Sequence, residues 1–353
     1  MTIKAAGGSP PTNPLSFSEI TTEFGAPTGN RLGAYRGTQT INGKGYPLDQ
    51  GIQQGTTNTD SIKFSDFYSK KLNIVVDCFS GTTETQGNAR QNYNSNKAFV
   101  VRNFHAKPNV PQNCRIIIKV NKTYQTAKHA QLRMCALKSG GFHISNDMVY
   151  DIGSNATLLG SGGQGGEGSR GITDGTFQNG GDGASCLGLN HDSTQSSVVV
   201  NIDAGALLRC GFGGGGGGGG GQETSKNDRR AGGGGGGGGA GTPFGDGGKG
   251  GVPQGGTRDD PSDIGDDGGD GNATTGGSGG GGGDNEDQAG GARGGDGGQN
   301  GNPADAGNNG GSTNGGSAGQ DGAAIRINTG GTFTLNKSNQ ATVIGATNAT
   351  GVL

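Results

Sequence analysis

The sequence predicts an all-β protein with a large glycine-rich, non-regular part. Residues 1–71 read as an extended, short-helical segment, 72–160 as a small antiparallel β domain, and 161–353 as a sandwich of packed polyglycine-II helices on a β-strand frame. Three observations carry this expectation. Short apolar runs bounded by turn residues crowd into 72–160. Glycine supplies 83 of 353 residues, most of it between Gly160 and Gly322. Short phrases recur where glycine-rich tracts meet apolar runs.

Hydrophobic residues make up 27% of the chain and there is no Trp, so 161–353 has too little apolar surface to offset its ordering entropy through a conventional core. A formal net charge of −2 lacks the basic footprint of a nucleic-acid partner. No apolar run is long enough to span a membrane. The opening MTIKAAGGSPPTNP has no apolar stretch of a secretory signal, which predicts synthesis in a cytosol. Cys78, Cys114, Cys135, Cys186 and Cys210 form no C-x-x-C pair, and His105, His129, His143 and His191 show no ligand spacing. Free buried cysteines, with no metal and no cofactor, are the expectation.

In 1–71 a phrase repeats: Phe17-Ser18-Glu19-Ile20 and Phe64-Ser65-Asp66-Phe67. Ser before an acid and an apolar residue reads as a helix N-cap, although each copy is too short to be stable alone. Such segments, joined by Gly- and Pro-rich turns, are expected to wrap onto a partner surface. In 72–160 the expected strands are Leu72–Val76, Ala98–Asn103, Arg115–Val120, Leu132–Leu137 and Met148–Ile152.

The glycine-rich part is punctuated. SNATLLGSGGQGG (154–166), DAGALLRCGFGGGG (203–216) and SNQATVIGATN (338–348) each place a small-residue turn before apolar residues and then Gly. DGASCLGL (182–189) and DGAAIRIN (321–328) each lead from glycine into a strand, followed by a second strand in 197–202 or 332–336. A flexible linker has no need of such repeats. Polyglycine in the three-residue-per-turn extended helix turns its N–H and C=O groups outward, and only glycine lets such helices pack closely enough to bond one another. Gly213–Gly221 and Gly232–Gly239, nearly equal in length, read as neighbouring antiparallel rods with 222–230 as the loop at their tip. Further loops are expected at 252–267, 273–275, 284–288, 302–306 and 312–314.

Other chemistries fit poorly. The Asp-rich strings GGDGN (268–272) and GGDGG (294–298) lack the bulky apolar residue and regular spacing of a calcium β-roll. The G-x-G-x-x-G strings have no preceding strand or following helix to make a nucleotide loop. No nucleophile, base and acid stand in a catalytic order, so no enzyme activity is expected.

Residues 154–345 resemble the glycine-rich, receptor-recognising adhesins at the long-tail-fibre tips of T-even-like bacteriophages, through VVVNIDAGALLRCGFGGGG (198–216), DGAAIRI (321–327) and the repeated glycine blocks. LSFSEITTEFG (15–25) and IKFSDFYSKK (62–71) are similar to N-terminal segments of phage tail and fibre proteins. The resemblance implies a virion protein made in the host cytoplasm, whose distal loops bind a host cell-surface receptor, a glycan or an outer-membrane component. It would be either a homotrimer or a single copy on a trimeric fibre. The receptor-contacting candidates are Glu223, Lys226, Asp228, Arg229, Arg230, Phe244, Arg258, Asp259 and Asp260. The candidates for attachment to other tail or virion proteins are Phe17, Ile20, Phe24, Phe64, Phe67 and Tyr68. This chain departs from the pattern in its acidic, polar loops: Phe244 is the one aromatic between Phe212 and Phe333. The alternatives are a structural virion subunit without receptor contact (fibre, baseplate or head decoration) and a surface glycine-rich structural protein.

Overall fold

The computed structural model describes residues 12–24, 63–69, 115–128, 132–139, 146–170, 178–191, 197–222, 230–252, 263–284, 290–311 and 313–352. It also describes the strand backbones at 38–41, 44–47, 73–77 and 99–101, and the isolated positions 5, 7, 32, 130, 193 and 194.

One helix, α1 (Phe17–Phe24), precedes the strands β1 (Thr38–Ile41), β2 (Lys44–Pro47), β3 (Asn73–Asp77), β4 (Phe99–Val101), β5 (Arg115–Val120), β6 (Thr123–Gln125), β7 (Cys135–Ser139), β8 (Asp147–Ile152) and β9 (Thr157–Leu159). There follow β10 (Ser185–Leu189), β11 (Ser197–Ile202), β12 (Leu207–Arg209), β13 (Gly221–Gln222), β14 (Arg230–Ala231), β15 (Ile325–Ile327), β16 (Thr334–Lys337), β17 (Thr342–Ile344) and β18 (Ala349–Thr350). Among these elements the protein is built mostly of strands.

The expected runs in 72–160 do form strands, but the antiparallel domain is corrected: they pair in parallel. Three parallel sheets run in the orders β16-β11-β8-β5-β3, β17-β12-β9-β6 and β18-β15-β10-β7-β4. The chain visits them in rotation. β5, β6 and β7 make one coil, β8, β9 and β10 the next, then β11, β12 and β15, and finally β16, β17 and β18. Each strand therefore meets its partner only after a full circuit, which forces parallel pairing. Strands on both sides of residue 160 share these sheets.

Stacked coils bury continuous ladders. Ile116, Met148 and Val198 align in register, as do Ile118, Tyr150 and Val200, and Val120, Ile152 and Ile202. All are buried, alternating along each strand with more exposed residues, as inward and outward faces must. In the second sheet Tyr124, Leu158, Leu208 and Val343 align. Cys135, Cys186 and Cys210 are free and buried; burial pushes the Cys135 and Cys210 thiols up to about 12. Cys78 and Cys114 lie outside the described residues.

The recurring phrases are the corners of this coil. Thr157-Leu158-Leu159, Leu207-Leu208-Arg209 and Thr342-Val343-Ile344 are in direct register, each after a turn that buries Ala156, Ala206 or Ala341. β6 occupies the same place, although its sequence lacks the phrase. The Asp-Gly-Ala phrases slip by one residue: Leu187 pairs with Ile325, which sets Asp182 opposite Gln320 rather than Asp321.

The N-terminal phrases fold as a helix and a 3-10 turn, with the caps elsewhere than expected. Ser16, not Ser18, caps α1: its Oγ accepts from Glu19 N at 3.2 Å while the Glu19 carboxylate accepts from Ser16 N at 2.8 Å. In the second copy Lys63 N donates to the Asp66 carboxylate at 2.7 Å. The equivalent apolar residues, Ile20 and Phe67, are fully buried in the chain's own core cluster. No helix among the described residues is long and apolar enough to cross a membrane.

Candidate recognition site

Two of the coils are interrupted at the same corner. After β9 the chain leaves through 160–184 before β10, and after β12 through 210–324 before β15, whereas β17 reaches β18 through 345–348. The excursions assemble into one body of extended segments bonded through their backbones.

Gly213–Gly221 lies at its centre. Gly214 and Gly217 donate to Gly181 and Gln178; Gly215 and Gly218 donate to Gly237 and Gly234; Gly216 and Gly219 donate to Asp305 and Asn308. Its carbonyls accept with the same period of three: Gly213 and Gly216 from Gly298 and Gly295, Gly214 and Gly217 from Gly319 and Gly316, and Gly215 and Gly218 from Gly166 and Ser169. Gly232–Gly239 is surrounded in the same way, by 263–272, 160–169, 290–298, 276–283, 245–251 and the first run. Gly215 bonds Gly237 and Gly218 bonds Gly234, so numbers fall along one run as they rise along the other; the two are antiparallel neighbours, joined at one end by the β13–β14 pair. Burying these N–H and C=O groups is affordable only because each finds a partner.

The same packing demands glycine. A Cβ on Gly217 would stand 1.9 Å from Glu167 O, and one on Gly236 2.1 Å from Gly215 O. Where a segment faces solvent, other residues enter every third position: Gln164, Glu167 and Arg170 on one, Asp246, Lys249 and Val252 on the next. The acids and amides have a further part. Gly247 N and Gly250 N donate to Asp270 and Asp267, Gly279 N to Asp296, Ser317 N to Asn179, and Gln320 N to Asp182. A carboxylate or amide oxygen thus stands in for the missing backbone carbonyl at the edge of the body. Asp321 does this for the buried Gly213 N–H, and desolvation there pushes its carboxyl up. Among the described residues no group of three His, Cys, Asp or Glu could hold a metal ion.

Asp267 also meets Lys249 Nζ at 2.7 Å, and that hydrogen bond, with the Gly250 N–H, holds its carboxyl below the usual range. A depressed folded pKa adds stability above the unfolded value and loses it as pH falls through the folded one. On acidification below about pH 4 the melting temperature of the wild type is expected to fall more steeply than that of Asp267→Asn, whose amide keeps the acceptor but cannot titrate. Superimposable curves would contradict the assignment.

The body has two ends. At the coil end lie the turn 242–244, the turn 273–275 and the connection 299–303: Thr242 N donates to Gly160 O, Gly241 N to Asn272 O, and Gln299 pairs with Asn302. At the far end the segments run out towards 171–177, 223–229, 253–262 and 285–289, where Ser169, Gly218, Gly251, Gly233, Asp263, Gly232 and Gly283 are bonded to one another. The expected loop 252–267 is shorter than its sequence suggests, because Asp263 and Asp266 already accept from Gly232 and Gly235.

Glu223, Lys226, Asp228, Arg229, Arg258, Asp259 and Asp260 lie outside the described residues. Arg230 is in β14, paired with Gln222 at the far end. Phe244 is at the coil end, 41% exposed, with Lys128 Nζ 5.5 Å from its ring centroid and paired to Asp246. The structure therefore does not bring Phe244 to Arg230. Of the attachment candidates, Ile20 and Phe67 are buried and Phe17 packs against the core. Phe64 is 41% exposed, Tyr68 Oη donates to Asn13 O at 2.6 Å, and Phe24 ends α1. Sequence reasoning missed Thr313 and the edge-capping acids; a period of three in the solvent-facing residues is the signal that marks the acids.

No curated protein matches the chain. A crystal structure of the gp37-gp38 adhesin tip complex of the bacteriophage S16 long tail fiber is similar over 95% of this chain and 98% of that one, at 14% identity and a TM-score of 0.35. Residues 81–348, well over half of the chain and including the whole glycine-rich body, match the family described as phage tail fibre adhesin Gp38. The chain belongs to the phage tail fibre adhesin Gp38 family.

Proposed function

We propose that this adhesin contacts the host cell surface with the far end of its glycine-rich body, through residues 171–177, 223–229, 253–262 and 285–289. One observation carries the reading: the connections richest in charge and varied side chains leave from the end opposite the coil. The segments beneath them are polyglycine-II helices, a reading supported by the period of three in their donors and acceptors. They form a closely bonded base, and connections carried on such a base suit recognition. Polar, charged tips fit a glycan or an outer-membrane component. The chain binds rather than transforms its target, and the N-terminal segment, with Phe64 exposed, joins it to other tail or virion proteins.

Exchanging 223–229 or 253–262 for the corresponding residues of an adhesin from a phage of different host range is expected to transfer host binding with an unchanged melting temperature. Exchanged chains that still bind the original host alone would sink the proposal.

A further inference from the structure

A side chain enters the backbone lattice beneath the far end. Gly214 and Gly217 donate to the carbonyls of Gly181 and Gln178, and Gly220, next in that run and buried, donates to the Thr313 hydroxyl at 2.6 Å. Thr313 N returns a bond to Gly220 O at 3.2 Å, continuing the series from Gly319 and Gly316. The same hydroxyl lies 3.1 Å from Ser169 Oγ, and Ser169 is itself buried, with its N bonded to Gly218 O and its carbonyl to Gly233 N. A threonine hydroxyl accepts from one N–H while donating once, so it can serve both contacts together. It ties three segments of the chain: the one entering 223–229, the one entering 171–177, and its own, which has just turned at Gly310, whose N–H bonds Thr313 O.

We propose that Thr313 is a positioning residue for recognition: its hydroxyl, with Ser169, holds the bases of 171–177 and 223–229 at a fixed spacing. This rests on the reading that the far end meets the host. Valine has the same shape without the oxygen, so it removes the Thr313 bond to the buried Gly220 N–H. Serine keeps the oxygen.

The test compares wild type, Thr313→Val, Thr313→Ser, Ser169→Ala and a chimera with 223–229 replaced, all in the full chain. The readouts are amide exchange by mass spectrometry and the dissociation rate from host cells. Thr313→Val is expected to raise exchange in 218–222 roughly tenfold and to speed dissociation by a similar factor. Exchange across 234–239 should stay unchanged. Thr313→Ser should match wild type, and Ser169→Ala should show a smaller change at the same place, which keeps the assignment testable if the valine variant does not fold. Dissociation unchanged in Thr313→Val and Ser169→Ala, while the chimera loses binding, would overturn the role of Thr313 alone. Exchange rising equally across 234–239 would overturn it too, by making the residue a general stabiliser. If the chimera binds as wild type does, the far-end reading fails and the Thr313 assignment falls with it.

Discussion

Gly217→Val is expected to prevent the glycine-rich body from assembling. The added Cβ would meet Glu167 O at 1.9 Å and Glu167 C at 2.5 Å, in a peptide group whose Gly168 N–H is bonded to Lys249 O. Overpacking in ordinary cores costs about 1–3 kcal/mol because side chains shift to other rotamers. Here no side chain is present to move, and opening the lattice at one rod breaks the bonds of its neighbours. A loss above about 4 kcal/mol follows, at the extreme of single substitutions. The control is Gly290→Ala, where a Cβ would meet only Gly283 O, at 3.5 Å, an ordinary contact. That change should stay within about 0.5 kcal/mol. Thermal unfolding with amide exchange across 213–221 reads both. Equal tolerance at the two positions would mean that the central run is a linker and not a packed rod.

Removing the body should leave the coil folded and abolish binding to host cells. The two excursions leave and return at adjacent points: Ala184 N bonds Ser161 O at 2.9 Å, and Gly322 N bonds Gly211 O at 2.8 Å. Deleting 162–182 and 212–321, with two glycines bridging each cut, would give connections much like 345–348 between β17 and β18. The core cluster would lose only Phe212 and Ala240 from its buried members, while the ladders through Tyr150, Leu158 and Leu208 stay intact. The expected product unfolds cooperatively with a strand-rich circular dichroism spectrum and no longer binds the host. An aggregated or unfolded product would show that the coil depends on the body.

The glycine-rich body is largely legible in the sequence, because its constraint is local. Most glycines of the two central runs have a backbone oxygen about 2 Å from where a Cβ would stand, so the steric demand appears directly as composition. The strand runs of 72–160 are legible for a similar reason, since alternating apolar residues mark one buried face. Their direction is not. A parallel and an antiparallel strand carry the same alternation, and only the circuit through three sheets distinguishes them. Register is hidden at the Asp-Gly-Ala phrases because β10 and β15 are buried at every position, leaving no exposed face to betray a one-residue slip. The cap of α1 lies two residues from its expected place because Ser16 and Ser18 both precede Glu19, and only the reciprocal bonds with Glu19 select Ser16.

The candidate site divides along the same line. The sequence marks 222–230 as a loop at the tip of paired antiparallel rods, and the Gly215–Gly237 and Gly218–Gly234 bonds show that pairing. It does not separate the two ends of the body, since Phe244 and Arg230 both stand beside glycine runs. By itself the sequence determined where the glycine tracts lie and that their backbones must pack closely, because that follows from contacts one atom deep. Tertiary structure alone decided that the strands coil in parallel, that the glycine tracts emerge from one corner, and which turns share an end. Those depend on bonds between residues far apart in the chain, such as Gly220 with Thr313, whose pairing no local pattern records.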